Sequence, residues 1–202
     1  MIDSNHKGTY FQDIMEYTNI TDVGFYQIET TIGNSLNMGY VFNKYPESDS
    51  LLWFKPNNGA KMVFGGTDLM TANAGRMART RSDLPVESGY RDVFNATGEL
   101  VWSAVHAAKI PRVIGFYDIP VNYDLDEKAY SQYIGPDTWI LASNAPGSIS
   151  FDGGDTGYSG LFFLFNGGVL SCQWICKNQS SWLSTMKPYG LRIPVAKLPN
   201  LE

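Results

Sequence analysis

Asp155, Thr156 and Gly157 reproduce the triplet that carries the catalytic carboxylate of aspartic proteases. In those enzymes an apolar strand brings the aspartate into a buried site beside its twin, where the two carboxyls share one proton. Here Gly153 and Gly154 precede the triplet, a polar turn that leaves the carboxylate in solvent. Across the same glycines Asp152 and Asp155 offer oxygens to a calcium ion. Calcium takes roughly six to eight oxygens, so two acids fall short, and Asp and Gly recur in turns for backbone reasons alone. No metal or cofactor is expected.

The other chemistry-bearing residues are similarly isolated. His106 sits among Ala104, Val105, Ala107 and Ala108, with no Gly-x-Ser-x-Gly elbow in the chain. It reads as a structural or solvated histidine, and a hydrolase would have to be built on it or on Asp155. Gly65-Gly66-Thr67 lacks the Gly-Lys-Ser/Thr ending of a phosphate-binding loop. Asp124, Asp126 and Glu127 read as a solvated acidic face. Cys172 and Cys176 lie on one strand pattern. Four residues of strand span about 13 Å, beyond the roughly 7 Å reach of a disulfide, so both read as buried thiols. Tetrahedral zinc would need further ligands, and the chain holds two histidines.

Of the five tryptophans, Trp53, Trp102, Trp139 and Trp174 fall in apolar strand patterns and are assigned to the core. Trp182 follows Asn178-Gln179-Ser180-Ser181 and is expected at the surface. With Tyr158 it forms a candidate contact surface, because exposed Trp and Tyr present rigid, amphipathic area. Together with the Asp152–Asp155 turn, these two aromatics would suit a glycan-binding β-sandwich.

These residues must be positioned by strands. Short aromatic and β-branched runs alternate with turn signals through most of the chain. They include Val23–Ile32, Met38–Phe42, Leu51–Lys55, Ala60–Phe64, Ile110–Ile119, Trp139–Ala142, Ser148–Phe151, Leu161–Phe165, Val169–Cys176 and Tyr189–Val195. Pro56-Asn57-Asn58-Gly59 predicts a hairpin between its flanking runs, and Asn166-Gly167-Gly168 a type I′ hairpin. Pro111, which has no N–H to donate, belongs at a strand start or edge. Residues 65–85, where Arg76, Arg79 and Arg81 stand among Ala, Gly and Met, read as a long loop or a single helical turn, with a short helix or turn over Asp124–Tyr130. The whole predicts an all-β, antiparallel sandwich with little helix. It is one β-rich domain over 1–202, or 1–85 and 86–202 joined by the Arg-containing loop. Gly24-Phe25-Tyr26-Gln27-Ile28 and Gly115-Phe116-Tyr117-Asp118-Ile119 echo each other, as two related β modules would.

Composition narrows the partners. The 202 residues are 44% hydrophobic, 14% aromatic and 17% charged, against roughly 25% charged for a typical soluble domain. Disorder is excluded, since it needs high charge and few aromatics. A formal net charge of −5 opposes the electrostatics of nucleic-acid binding. The polar start Met1–Lys7 lacks the apolar core of a signal peptide, and the apolar run Leu161–Phe165 is far short of the roughly 18 residues of a membrane helix. These features predict a chain made in a cytoplasm, with neither nucleic acid nor membrane insertion. So few charges leave a surface poorly protected against association, which favours protein contacts and a homo-oligomer.

The clearest local signal is Gly89-Tyr90-Arg91-Asp92-Val93-Phe94-Asn95-Ala96-Thr97-Gly98-Glu99-Leu100-Val101-Trp102-Ser103, two apolar strands around an Asn- and Gly-bearing turn. This segment resembles a hairpin that recurs in tail proteins of tailed bacteriophages, where it opens a β-rich domain. The resemblance covers residues 89–103. It implies a non-enzymatic virion component of the tail tip or fibre region, assembling with other tail proteins and contacting a host glycan or protein receptor. It carries over no catalytic residue.

Overall fold

Among the described residues the interior strands of two large sheets are held by a partner on each side. The computed structural model describes residues 10–17, 25–29, 35–41, 50–65, 68–72, 75–81, 85–152, 155–199 and 201. In chain order the strands are β1 (Tyr10–Tyr17), β2 (Phe25–Glu29), β3 (Ser35–Val41), β4 (Ser50–Pro56), β5 (Lys61–Gly65), β6 (Asp68–Ala72), β7 (Gly75–Arg81), β8 (Val93–Phe94) and β9 (Leu100–Trp102). The helical turn α1 (Ala104–Ala107) follows, then β10 (Arg112–Ile119), β11 (Tyr130–Tyr133), β12 (Trp139–Leu141), β13 (Gly147–Asp152), β14 (Asp155–Asn166) and β15 (Val169–Lys177). The turn α2 (Trp182–Thr185) and β16 (Leu191–Lys197) complete the order.

Every ladder among the described residues is antiparallel. One sheet runs β1-β7-β4-β12-β16-β10. A second runs β11-β15-β14-β5-β6-β3-β2 with β13 also on β14, and β8-β9 form a separate two-stranded ladder. The fold is all-β, as the strand spacing predicts. Strands from before and after residue 85 pair in both large sheets: Phe54 faces Ile140, and Met62 faces Phe163.

The core lies between the sheets. Leu52, Phe54, Tyr117, Ile140 and Ile193 from the first pack in one cluster with Met62, Leu161, Phe163, Leu170 and Trp174 from the second. The Tyr117 and Phe163 rings meet edge-on across the gap, their centroids 6.3 Å apart. Burying a large apolar side chain is worth about 1.5–3 kcal/mol, so this layer supplies the main driving force.

Two sequence expectations are corrected. The run 65–85 is not one long loop: β6 and β7 occupy most of it, and residues 66–67, 73–74 and 82–84 are outside the described residues. β7 lies between β1 and β4 and pairs with both, so tertiary pairing overrides the weak strand propensity of its Gly, Ala and Met. The turn at Pro56–Gly59 is real, with Gly59 at φ +79° and the Ala60 amide donating to the Asn57 carbonyl. However, it does not make a hairpin. It carries the chain from one sheet to the other, where the Gly59 amide bonds the Phe165 carbonyl at 2.8 Å. The Gly167-Gly168 hairpin forms as expected, with φ +57° and +84° joining β14 to β15.

Two sheet ends meet along one seam of the sandwich, β10 from the first and β11 from the second. Gln132 on β11 reaches across. Its Nε2 donates to the Phe116 carbonyl at 2.7 Å, and its Oε1 accepts the Asp118 amide at 3.1 Å. One side chain thereby satisfies two backbone groups that a neighbouring strand would otherwise take. The Tyr117 hydroxyl donates to the Tyr130 carbonyl at 2.6 Å and ties the same seam from inside.

Candidate functional site

The sequence-predicted contact residues do not share a surface. Trp182 is fully buried. It opens α2, its ring lies 5.6 Å from that of Trp174, and its Nε1 donates to the Tyr123 carbonyl at 2.8 Å. The serines before it mark a helix cap rather than solvent: the Ser181 side chain accepts the Ser184 amide. Tyr158 is 3% exposed, because β14 is flanked by β13 and β15 where it sits. Asp152 and Asp155 pair across the β13–β14 turn as backbone. Their side chains, with Gly153 and Gly154, are outside the described residues.

The acidic face is equally structural. Asp126 accepts the Trp182 amide on Oδ1 and the Leu183 amide on Oδ2, both at 2.9 Å, and so caps the open end of α2. Asp124 accepts a 2.6 Å hydrogen bond from Lys187 Nζ, which holds its carboxyl below the usual carboxylate range. The Asp124–Asp126 pair is therefore an anchor for α2 rather than a solvated patch.

His106 is buried, and its Nδ1 accepts the Glu87 amide at 2.8 Å. Burial lowers its pKa, so the neutral ring that can accept this bond is favoured. Glu87 in turn receives Lys109 Nζ at 2.7 Å, which lowers its own pKa. Cys172 is buried and its thiol is pushed up to about 12 by that burial. Cys176, expected to be buried, is exposed, its Sγ donating to the Gln179 carbonyl. Neither thiol is bridged.

Among the described residues, no group of three or more His, Cys, Asp and Glu side chains could hold a metal. No helix there is long and apolar enough to cross a membrane.

What the fold does present outward is different. The 89–103 hairpin stands on its own ladder, with Val93 facing Trp102 and Phe94 facing Leu100. Asn95 closes its turn, since Oδ1 accepts the amides of Thr97 and Glu99 at 3.1 and 2.8 Å and Gly98 takes φ +80°. At its root Asp92 accepts a hydrogen bond from Ser88, and the Ala104 amide bonds the Tyr90 carbonyl. Held this way, Tyr90 and Phe94 stay 63% and 55% exposed.

Depressions among the described residues accompany it. A cleft of about 590 Å³ lies between Lys55, Asn58, Asp137 and Gly167, bridged by a 3.1 Å Lys55–Asp137 ion pair. A cavity of about 50 Å³ is walled by Phe162 and Leu164 beside Gln173, a buried amide with no hydrogen-bond partner among the described residues. A third, of about 320 Å³, lies between Asp118, Val121, Tyr189 and Arg192.

A family model described as Domain of unknown function (DUF8377) matches residues 1–200. The chain belongs to that family. No curated protein and no solved structure matches it. In this DUF8377 chain the outward features that sequence reasoning missed are Tyr189 and the Asp118–Arg192 pair. Tyr189 had a legible signal, an aromatic set between Pro188 and Gly190 in a turn. The pair had none, because its members are 74 positions apart.

Proposed function

We propose that this protein is a non-enzymatic structural component of a bacteriophage tail, which assembles with other tail proteins and contributes to host attachment. The observation that carries the reading is the 89–103 hairpin. The segment that resembles a recurring tail-protein hairpin stands apart from both sheets and holds two aromatics in solvent on a braced turn. Exposed aromatics on rigid backbone are the raw material of interface anchors. Val113 and Ile114, on β10, add 53% exposed apolar side chains. A surface with few charges lowers the cost of burying such a patch against another protein.

The chain acts in the virion under this reading and forms a homo-oligomer. Gold-labelled antibody against the protein, viewed by negative-stain microscopy on virions, is expected to decorate the tail; virions with bare tails would sink the proposal. Light scattering on the purified chain is expected to give a multiple of the monomer mass. Substituting Tyr90 and Phe94 with serine is expected to reduce incorporation into particles while leaving the thermal melt in place.

A further inference from the structure

The cleft of about 320 Å³ lies at the far end of β10 from the hairpin, between the Pro120–Asn122 turn and the Lys187–Gly190 turn. Both walls are fixed by backbone hydrogen bonds. Tyr189 and Gly190 amides both donate to the Met186 carbonyl, at 2.9 and 3.2 Å, and the Asn122 amide donates to the Lys187 carbonyl at 2.9 Å. Gly190 takes φ +65°, and a Cβ there would stand 2.7 Å from the Ile119 carbonyl oxygen, so the two turns press together on a bare glycine.

On this braced frame Tyr189 is 77% exposed, the most exposed large hydrophobic among the described residues, and Val121 is 57% exposed. Beside them Arg192 forks onto Asp118, Nε to Oδ1 at 2.6 Å and Nη2 to Oδ2 at 3.0 Å. The guanidinium also lies over the Phe116 ring at 4.8 Å. The pair is preorganised, so a ligand does not have to order it.

The geometry points to a saccharide subsite that takes a neutral pyranose, its C–H face on Tyr189 and a pair of adjacent hydroxyls on Asp118 and Arg192. Each sugar hydroxyl both donates and accepts. The fork places carboxylate lone pairs and guanidinium N–H groups side by side, which answers both needs at once. Its net charge is zero. An anionic ligand would meet the Asp118 carboxylate and a cationic one the Arg192 guanidinium, so the neutral ring is selected. An added peptide strand is disfavoured, since Gln132 already occupies the Phe116 carbonyl and the Asp118 amide. The assignment rests on the host-attachment part of the proposed function and gives it a ligand class.

Saturation-transfer NMR and calorimetry on the full chain, with the methyl glycosides of glucose, galactose and mannose as probes, test it. Transfer to ring C–H protons of at least one glycoside is expected, with binding weakened at least tenfold in both Tyr189→Ala and Asp118→Asn. Both variants are expected to melt as the parent does. Absence of transfer to all three glycosides overturns the assignment, as does transfer that survives both substitutions. Self-association abolished by Tyr189→Ala, without any sugar signal, would make the cleft a protein contact and overturn it too. Labelled tails combined with a silent sugar titration would remove this subsite alone, whereas bare tails with a positive titration would remove the tail assignment alone.

Discussion

The corner around Trp182 and the cleft beside Tyr189 are close in sequence and use the same materials: an aromatic ring, an aspartate and a basic side chain. In the corner everything points inward. Trp182 packs on Trp174, Asp126 caps α2 and Asp124 pairs with Lys187. In the cleft the same chemistry points outward, with Tyr189 in solvent and Asp118 and Arg192 paired at the surface. The switch between them is backbone. The chain leaves α2, holds Tyr189 outward on the turn that ends at Gly190 in the left-handed region, and then enters β16. Residue type sets what a site can do, and the turn sets which side it does it on.

That contrast breaks most sharply at Trp182. Trp182→Ala is expected to cost about 3–5 kcal/mol by leaving a cavity against Trp174 and orphaning the Tyr123 carbonyl, read by urea denaturation. A cost under about 1 kcal/mol would mean the corner is no more structural than the cleft. Asp126→Ala removes the acceptor of the two amides at the open end of α2 and is expected to cost about 1–2 kcal/mol, with α2 losing amide-exchange protection first. Gly190→Ala is expected to cost about 1–2 kcal/mol from the left-handed backbone alone. It should also displace the Tyr189 turn, so it couples the two regions in one measurement.

A third inward-facing polar group, His106, provides a pH test. Its folded pKa lies below the usual value near 6.5 because burial favours the neutral ring. The unfolded chain thus binds the proton more readily. The stability it contributes is complete above about pH 6.5 and is lost as pH falls through the lowered folded value. Melting temperature is expected to drop on acidification from pH 7 towards 5, with a flatter slope in His106→Gln. The carboxylates of Glu87, Asp92 and Asp124 are also held low, but their loss belongs to more acid solution, below their ordinary values of 4.5 and 3.8. The smallest effect is expected at Tyr189→Ala, within about 0.5 kcal/mol, since the ring buries little.

The fold class was legible because alternation, β-branched runs and turn glycines are local signals. The Gly167-Gly168 hairpin, the 89–103 hairpin and the β10 start after Pro111 all follow from them. Neighbour choice was not legible. Pro56–Gly59 announces a reversal equally well whether the next strand pairs back or crosses to the other sheet. β7 carries arginines and small residues, and only its two partners make it a strand. The site was less legible still: polar context around Trp182 reads as surface, yet those serines are a cap. Asp118 and Arg192 meet only through the β10–β16 register.

Gln132 has a consequence for how far this architecture can grow. A sheet that ends in open backbone invites another strand, and repetition of that contact leads to fibrils. Here a carboxamide does the work of a peptide unit and terminates the β10 ladder at Phe116 and Asp118. At this edge an added strand would have to displace Gln132 before it could pair with Phe116 and Asp118. Gln132→Ala would reopen the edge, and thioflavin binding on prolonged incubation would report it.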